Sequence, residues 1–202
     1  MEVFTIGHTN YSIDKFIDLI RKFNINCVVD VRSTPFSKYT PQFNENNLKL
    51  ELNKRGIYYI KMGNEFGARR KNKKLYTVDG YLDFEKTRKD KDFLKGIERI
   101  KQGCNKGFNI TLMCTERDPI DCHRTILVSK GLKDNGFNIK HILPNAEIQS
   151  QKKIEERLLN KYYPNRLQLS FDINKNLTEE EMIEEAYRIR NKEIGYPIGG
   201  EE

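Results

Sequence analysis

Apolar positions along the chain switch between two spacings. A short apolar run at 3–6 ends in Gly7 and His8 and reads as a first strand. Ser12 then precedes Ile13, Phe16, Ile17, Leu19, Ile20 and Phe23, which recur at helical spacing behind a capping residue. Cys27, Val28, Val29, Asp30 and Val31 form a nearly continuous apolar run, the pattern of a strand covered on both faces. Asn44 opens a second helix carrying Leu48 and Leu52, and Gly56 closes it as a C-cap. A third strand is predicted over 57–62 and an aperiodic loop over 63–80. Phe93, Leu94, Ile97 and Ile100 then mark a helix, and a central fourth strand is predicted over 108–114. Ile126, Leu127, Val128 and Leu132 predict a helix ending at Gly136. A fifth strand follows over 137–143, and a helix through Ile154, Leu158 and Leu159. Beyond Pro164 the pattern changes. Thr178 and Glu181 form a capping box that starts a last amphipathic helix with Met182, Ala186 and Ile189, and Gly195, Gly199 and Gly200 lead out.

Strands alternating with helices predict an α/β fold, an open and mostly parallel sheet with helices on both faces. Residues 1–160 read as this domain and residues 161–202 as a C-terminal extension with one amphipathic helix. In such sheets ligands sit beyond the carboxyl ends of the strands. Those ends carry Gly7, His8, Thr9 and Asn10 after the first strand, and Asp30, Arg32 and Ser33 after the second. After the fourth come Cys114, Glu116 and Arg117, and the next helix opens with Cys122, His123 and Arg124.

Composition narrows the class. A chain of 202 residues fits one domain or one domain plus an extension, and needs no disulfide staple to bury a core. Ten Tyr and eleven Phe argue against wholesale disorder. No apolar run approaches the ~20 residues of a bilayer span, and the N-terminus lacks the layout of a signal peptide, so no membrane partner is expected. Four cysteines, at 27, 104, 114 and 122, are too few and too unevenly spaced for a secreted scaffold, which places the expected location in a reducing cytoplasm. The net charge of +7 is unevenly spread. Arg69, Arg70, Lys71, Lys73 and Lys74 crowd one loop, a pattern that fits phosphate or nucleic-acid contact as well as a solvated surface. Glu179, Glu180, Glu181, Glu184 and Glu185 make the last helix acidic, which argues against a uniformly basic binder.

The candidate chemistry gathers at the strand ends. Glu116 lies just past a buried strand, where it could act as acid, base or nucleophile, or simply pair with Arg32, Arg117 or Arg124. Cys114 reads as a packing residue. Cys122, near a helix start and beside His123 and Arg124, is the best candidate for a reactive thiolate. Arg124 in the first helical turn is placed to hold a phosphate. Asp118 and Asp121 after Cys114 argue against a phosphatase-type or rhodanese-type loop. Cys114, Cys122 and His123 could supply three zinc ligands with His8 as a fourth, but the gap of seven residues between the cysteines matches none of the tight spacings of structural zinc sites, so no metal is expected. His8 reads as functional and His141 as core.

Four segments occur in an order that resembles a known family: Thr5-Ile6-Gly7-His8-Thr9-Asn10, Val29-Asp30-Val31-Arg32, Pro41-Gln42-Phe43-Asn44, and Met113-Cys114-Thr115-Glu116 with Cys122-His123-Arg124. The chain resembles the uncharacterised domain-of-unknown-function family 488 over about residues 3–145, with the first and last motifs together the specific signal. Thr9 stands where Ser is common, and Gly67-Ala68-Arg69-Arg70 where a double Gly before Arg is usual. The basic loop and the segment after 160 lie outside the shared pattern. The resemblance implies a Rossmann-like α/β domain whose motif residues share one pocket, and it supplies no reaction. The expected site takes Glu116, Cys122, Cys114, His8 and His123 as catalytic candidates. Asn10, Asp30, Arg32, Gln42, Arg69, Arg70 and Arg124 are the candidate substrate contacts. The expected function is an enzyme acting on a phosphate-bearing small molecule or nucleic acid without a cofactor. N-glycosidic cleavage or transfer fits because it needs a carboxylate and no metal. A thiol-dependent enzyme using Cys122, and a non-catalytic nucleic-acid-binding or partner-binding module, are the alternatives.

Overall fold

A computed structural model describes residues 1–166 and 177–198 of the chain. Gly199 and Gly200, expected to lead out of the last helix, lie outside the described residues. The strands are β1 (Glu2–Gly7), β2 (Cys27–Asp30), β3 (Tyr58–Lys61), β4 (Ile110–Cys114), β5 (Asn138–Ile142) and β6 (Ile148–Ser150). They form one sheet in the order β3-β2-β4-β1-β5-β6, parallel except for the antiparallel β5–β6 pair. The open α/β fold is as the alternating pattern predicts.

Helix α1 (Ile13–Arg21) starts at Ser12, whose Oγ accepts from the Lys15 amide at 3.2 Å. Helix α2 (Glu45–Asn53) ends near Gly56, where a φ of +72° calls for a residue without Cβ. Asn44 stands at the N-cap of α2, but its Oδ1 accepts from the Ser37 amide at 2.7 Å instead of capping the helix. The loop expected over 63–80 contains a short helix, α3 (Gly63–Phe66), and a 3₁₀ turn, Lys73–Leu75. Helices α4 (Phe84–Arg88) and α5 (Lys91–Asn105) follow. After β4 the chain makes a 3₁₀ turn, Pro119–Asp121, then a π-helical segment, Arg124–Ser129, which runs into α6 (Lys130–Asp134). The sequence pattern predicts a plain α-helix there. The wider turn comes with the Ser129 hydroxyl donating back to the Arg124 carbonyl at 2.8 Å. Helix α7 (Gln151–Tyr162) follows β6, and α8 (Glu179–Ile194) carries the expected capping box, with the Glu181 amide donating to Thr178 Oγ1 and the Thr178 amide donating to Glu181 Oε2.

Two apolar clusters cover the sheet. One packs Phe16, Ile17 and Ile20 of α1 and Leu48 and Leu52 of α2 against Val28 and Met113. The other packs Phe93, Ile97 and Ile100 of α5, Leu127 and Leu132 after β4, and Leu158 of α7 against Val29 and Leu112. Ala186 and Tyr187 of α8 belong to this second cluster. The helix after β1 and the helix after β4 therefore lie on opposite faces although these strands are neighbours. That is the arrangement that opens a crevice at their carboxyl ends. Among the described residues no helix is long and apolar enough to cross a membrane.

Candidate functional site

The strand order sets β2, β4 and β1 side by side, so their carboxyl ends bring Asp30, Cys114 and Gly7 into one row. Gly7 is required by what crosses it. A Cβ there would lie inside the Glu116 carbonyl oxygen, and the His8 amide donates to the Cys114 carbonyl at 2.9 Å. The TIGH motif is thus the seat on which the chain leaving β4 rests.

At the β1 and β2 ends a closed network forms. Arg32 grips Asp30 with two parallel hydrogen bonds, Nε to Oδ1 at 2.9 Å and Nη2 to Oδ2 at 2.6 Å, and Nη2 also donates to the Phe43 carbonyl at 2.7 Å. Tyr59 donates its hydroxyl to Asp30 Oδ2 at 2.8 Å. His8 donates from Nδ1 to the Thr9 carbonyl at 2.8 Å and accepts at Nε2 from Arg32 Nη1 at 3.2 Å, while its ring stacks on Phe43 at 4.2 Å. Burial, then the Arg32 charge, pushes the His8 pKa down to about 4, so the imidazole is neutral at pH 7. Both His8 nitrogens are engaged here, so His8 does not complete a zinc set with the cysteines. Gln42 donates to the Tyr11 carbonyl at 2.8 Å and ties this turn to the loop after β1.

At the β4 end a second group forms. Cys114, Glu116, Cys122 and His123 bring their side-chain donor atoms within 4.8 Å of one another. The turn Pro119–Asp121 folds Cys122 back beside Cys114. It is held from outside by Arg157 of α7, on Asp118 at 2.5 Å, and by Arg190 of α8, which donates to the Ile120 carbonyl at 2.9 Å and pairs with Asp121. Cys122 Sγ meets Glu116 Oε2 at 2.7 Å, and the Arg124 amide donates to the same sulfur at 3.4 Å. A thiolate and a carboxylate so close would repel, so one proton lies between them. Burial disfavours the Cys122 thiolate, yet Cys114, Arg124 and His123 outweigh it and hold its pKa well below the usual thiol value. Burial and the neighbouring Cys122 push Cys114 well above that value. Burial, then Cys122, raises Glu116. His123 donates from Nε2 to the Val31 carbonyl at 3.1 Å, which turns Nδ1 toward Cys114 Sγ at 3.6 Å.

Arg124 is fully buried. Its Nη1 donates to the Glu116 carbonyl at 2.6 Å and its Nη2 to the Arg117 carbonyl at 3.4 Å, so the guanidinium positions the backbone of the loop that carries Glu116.

Cys114, Glu116 and His123 line a pocket of about 100 Å³ together with Arg32, Ser33, Arg69 and Tyr196, so the candidate Arg32 borders the pocket while its guanidinium is held by Asp30 and Phe43. Through Ser33, Thr34 and Arg69 the pocket borders a groove of about 960 Å³ that also contains Arg70, Lys71 and Lys95, with Glu65, Asp90 and Asp92 on the same lining. Arg69 lies over the Tyr196 ring at 4.9 Å, and the Arg69 amide donates to Ser33 Oγ at 2.9 Å. Arg70 donates to the Asn64 and Glu65 carbonyls at the end of α3, whereas Lys71, Lys73 and Lys74 are exposed. A separate open cleft of about 780 Å³ at the β1 and β5 ends holds Asn10, Lys15, Arg117 and Arg157. Tyr196 carries no sequence signal. It reaches the pocket because the Leu82 amide donates to its carbonyl at 3.0 Å and the next residues pair with the 76–82 hairpin. Burial, then Glu116, raises its pKa to about 12.

Residues 12–130, more than half of the chain, match the family model described as Domain of unknown function DUF488. The chain belongs to the DUF488 family. The matched DUF488 segment holds Asp30, Arg32, the basic loop and the whole Cys114–His123 cluster. His8 precedes it, and Arg157, Arg190 and Tyr196 follow it. Neither the curated proteins nor the solved structures give a match to the chain.

Proposed function

We propose that this DUF488 protein is a hydrolytic or group-transfer enzyme acting on a nucleotide or nucleic acid in a reducing cytoplasm, with Glu116 as the proton-carrying group. The observation that carries the reading is the pocket that exposes Glu116, since it borders a groove containing Arg69, Arg70 and Lys71. A phosphate on those cations would leave the adjoining sugar or base within reach of the carboxyl group. Ionic contacts to phosphate set affinity and position, while the chemistry belongs to the group at the end of β4. Cys122 is 1% exposed and does not line the pocket, so Glu116 meets a substrate first and the thiol acts on it from behind.

The test is turnover of a panel of nucleoside monophosphates, single-stranded DNA and single-stranded RNA, read as released base, sugar or phosphate. Glu116→Gln should bind the responsive substrate as the parent does and turn it over about 10²–10⁴-fold more slowly. Equal turnover by both proteins would sink the catalytic reading. Binding without turnover by either would leave a nucleic-acid-binding module.

A further inference from the structure

We infer that Cys114, Cys122 and His123 form a zinc-binding site whose fourth position faces the Glu116 pocket. The inference stands on the cluster itself and goes beyond the substrate reading above.

Three features of the geometry point the same way. The first is donor chemistry. Two thiols and an imidazole, buried to 2%, 1% and 6% exposure, suit zinc and disfavour magnesium or calcium. Two buried thiolates are expensive alone, and a dication cancels them. The second is orientation. A metal-bound histidine commonly donates its other ring N–H to a carbonyl or carboxylate. His123 does so to Val31, which leaves Nδ1 aimed at the sulfurs. The third is spacing. A sulfur at about 2.3 Å and a nitrogen at about 2.1 Å on one tetrahedral zinc stand roughly 3.6 Å apart, and Cys114 Sγ to His123 Nδ1 is 3.6 Å. The seven-residue gap reads against a metal only along the chain, because the Pro119–Asp121 turn removes it in space.

The same spacing sets Glu116 apart. Its 2.7 Å contact with Cys122 Sγ is hydrogen-bond distance, closer than two donors on one zinc would stand. Glu116 is therefore the neighbour of the site and not its fourth ligand. With zinc held by Cys114, Cys122 and His123, the metal would supply Lewis-acid chemistry at the open position, and Glu116 would stand beside it as the neighbouring carboxyl group.

Cobalt(II) replaces zinc and reports its ligands, so the test is a cobalt titration of the reduced, metal-stripped full chain. A thiolate-to-cobalt charge-transfer band with intense tetrahedral visible bands should saturate at one equivalent, and zinc should bleach them. Cys122→Ser removes a ligand and should weaken binding by more than about 100-fold, whereas Glu116→Gln removes only a neighbour held on a ligand sulfur and should keep the charge-transfer band, with binding weakened by about 10-fold to 100-fold at most. The parent spectrum alone decides if a variant misfolds. Absence of the charge-transfer band in the parent overturns the site. So does a Cys114–Cys122 disulfide that persists in the presence of zinc, which would assign the pair to redox chemistry. Loss of binding in folded Glu116→Gln would make the site a closed four-ligand set and overturn the open position. None of these readouts needs turnover, so a failed substrate screen and a failed metal titration are separate results.

Discussion

The β2 end and the β4 end of the same crevice present similar residue types and opposite states of satisfaction. At the β2 end, Asp30 receives two guanidinium hydrogen bonds, a tyrosine hydroxyl and the Arg32 amide, and Arg32 in turn holds Phe43 and His8. At the β4 end, two sulfurs, a carboxyl group and an imidazole crowd within 4.8 Å of one another, and Cys122 and Glu116 compete for one proton. A charged residue whose partners are all in place is scaffold, while groups left to compete for a proton or a cation are where chemistry is available. Arginine and aspartate at a strand end are therefore weaker evidence of a binding site than their charge suggests.

The sharpest way to break this contrast is Asp30→Ala. It strands a buried guanidinium and should cost about 3–5 kcal/mol, lowering the thermal midpoint by roughly 6–20 °C. A midpoint within about 2 °C of the parent would mean the network is not the scaffold described.

Much of this architecture is legible in the sequence, and the exceptions have physical reasons. The Ser12 cap, the Thr178–Glu181 box and the covered β2 and β4 strands follow from local pattern. Helix α4 and strand β6 do not, because five and three residues hold too little periodicity to register. Glu116, Cys114, Cys122 and His123 are all visible as candidates. That they share one crevice follows from the strand ends and the family resemblance, but their packing within 4.8 Å does not, since it depends on β4 inserting between β1 and β2 and on Arg157 and Arg190 pinning a turn from helices far along the chain. The roles of Arg32 and Arg124 are equally invisible, because a guanidinium looks the same in sequence whether it meets a phosphate or a carbonyl.

A second closed network offers a milder test through pH. His141 is fully buried, with Thr5 Oγ1 on Nδ1 at 2.8 Å and Gln151 Oε1 on Nε2 at 2.7 Å, and Gln151 continues to Tyr187 of α8. Burial pushes its pKa down to about 3. The unfolded chain, near the ordinary histidine value, therefore binds this proton first. The stability it contributes is present above about pH 6.5 and is lost as pH falls toward 3, at up to about 1.4 kcal/mol per pH unit. Urea unfolding at pH 7 and pH 5 should show the parent losing about 2 kcal/mol more than His141→Gln. An equal loss would mean that the histidine is not held neutral.

The smallest effect on stability is expected at the basic loop. Replacing exposed Lys71, Lys73 and Lys74 with Ser should leave stability within about 0.5 kcal/mol. The salt slope of single-stranded DNA binding should fall by about 2, at roughly 0.7 for each phosphate that is no longer neutralised. Fluorescence anisotropy across a salt series reads this directly, and an unchanged slope would make the three lysines solvated surface only.

The division of labour itself is tested most directly by measuring Glu116→Gln and Asp30→Ala side by side for thermal midpoint and for turnover of the nucleotide or nucleic-acid substrate. Glu116→Gln should melt with the parent and lose about 100-fold or more in turnover, while Asp30→Ala should lose its midpoint. A Glu116→Gln protein that stays active, or one that melts as early as Asp30→Ala, would contradict the assignment of chemistry to the β4 end and scaffold to the β2 end.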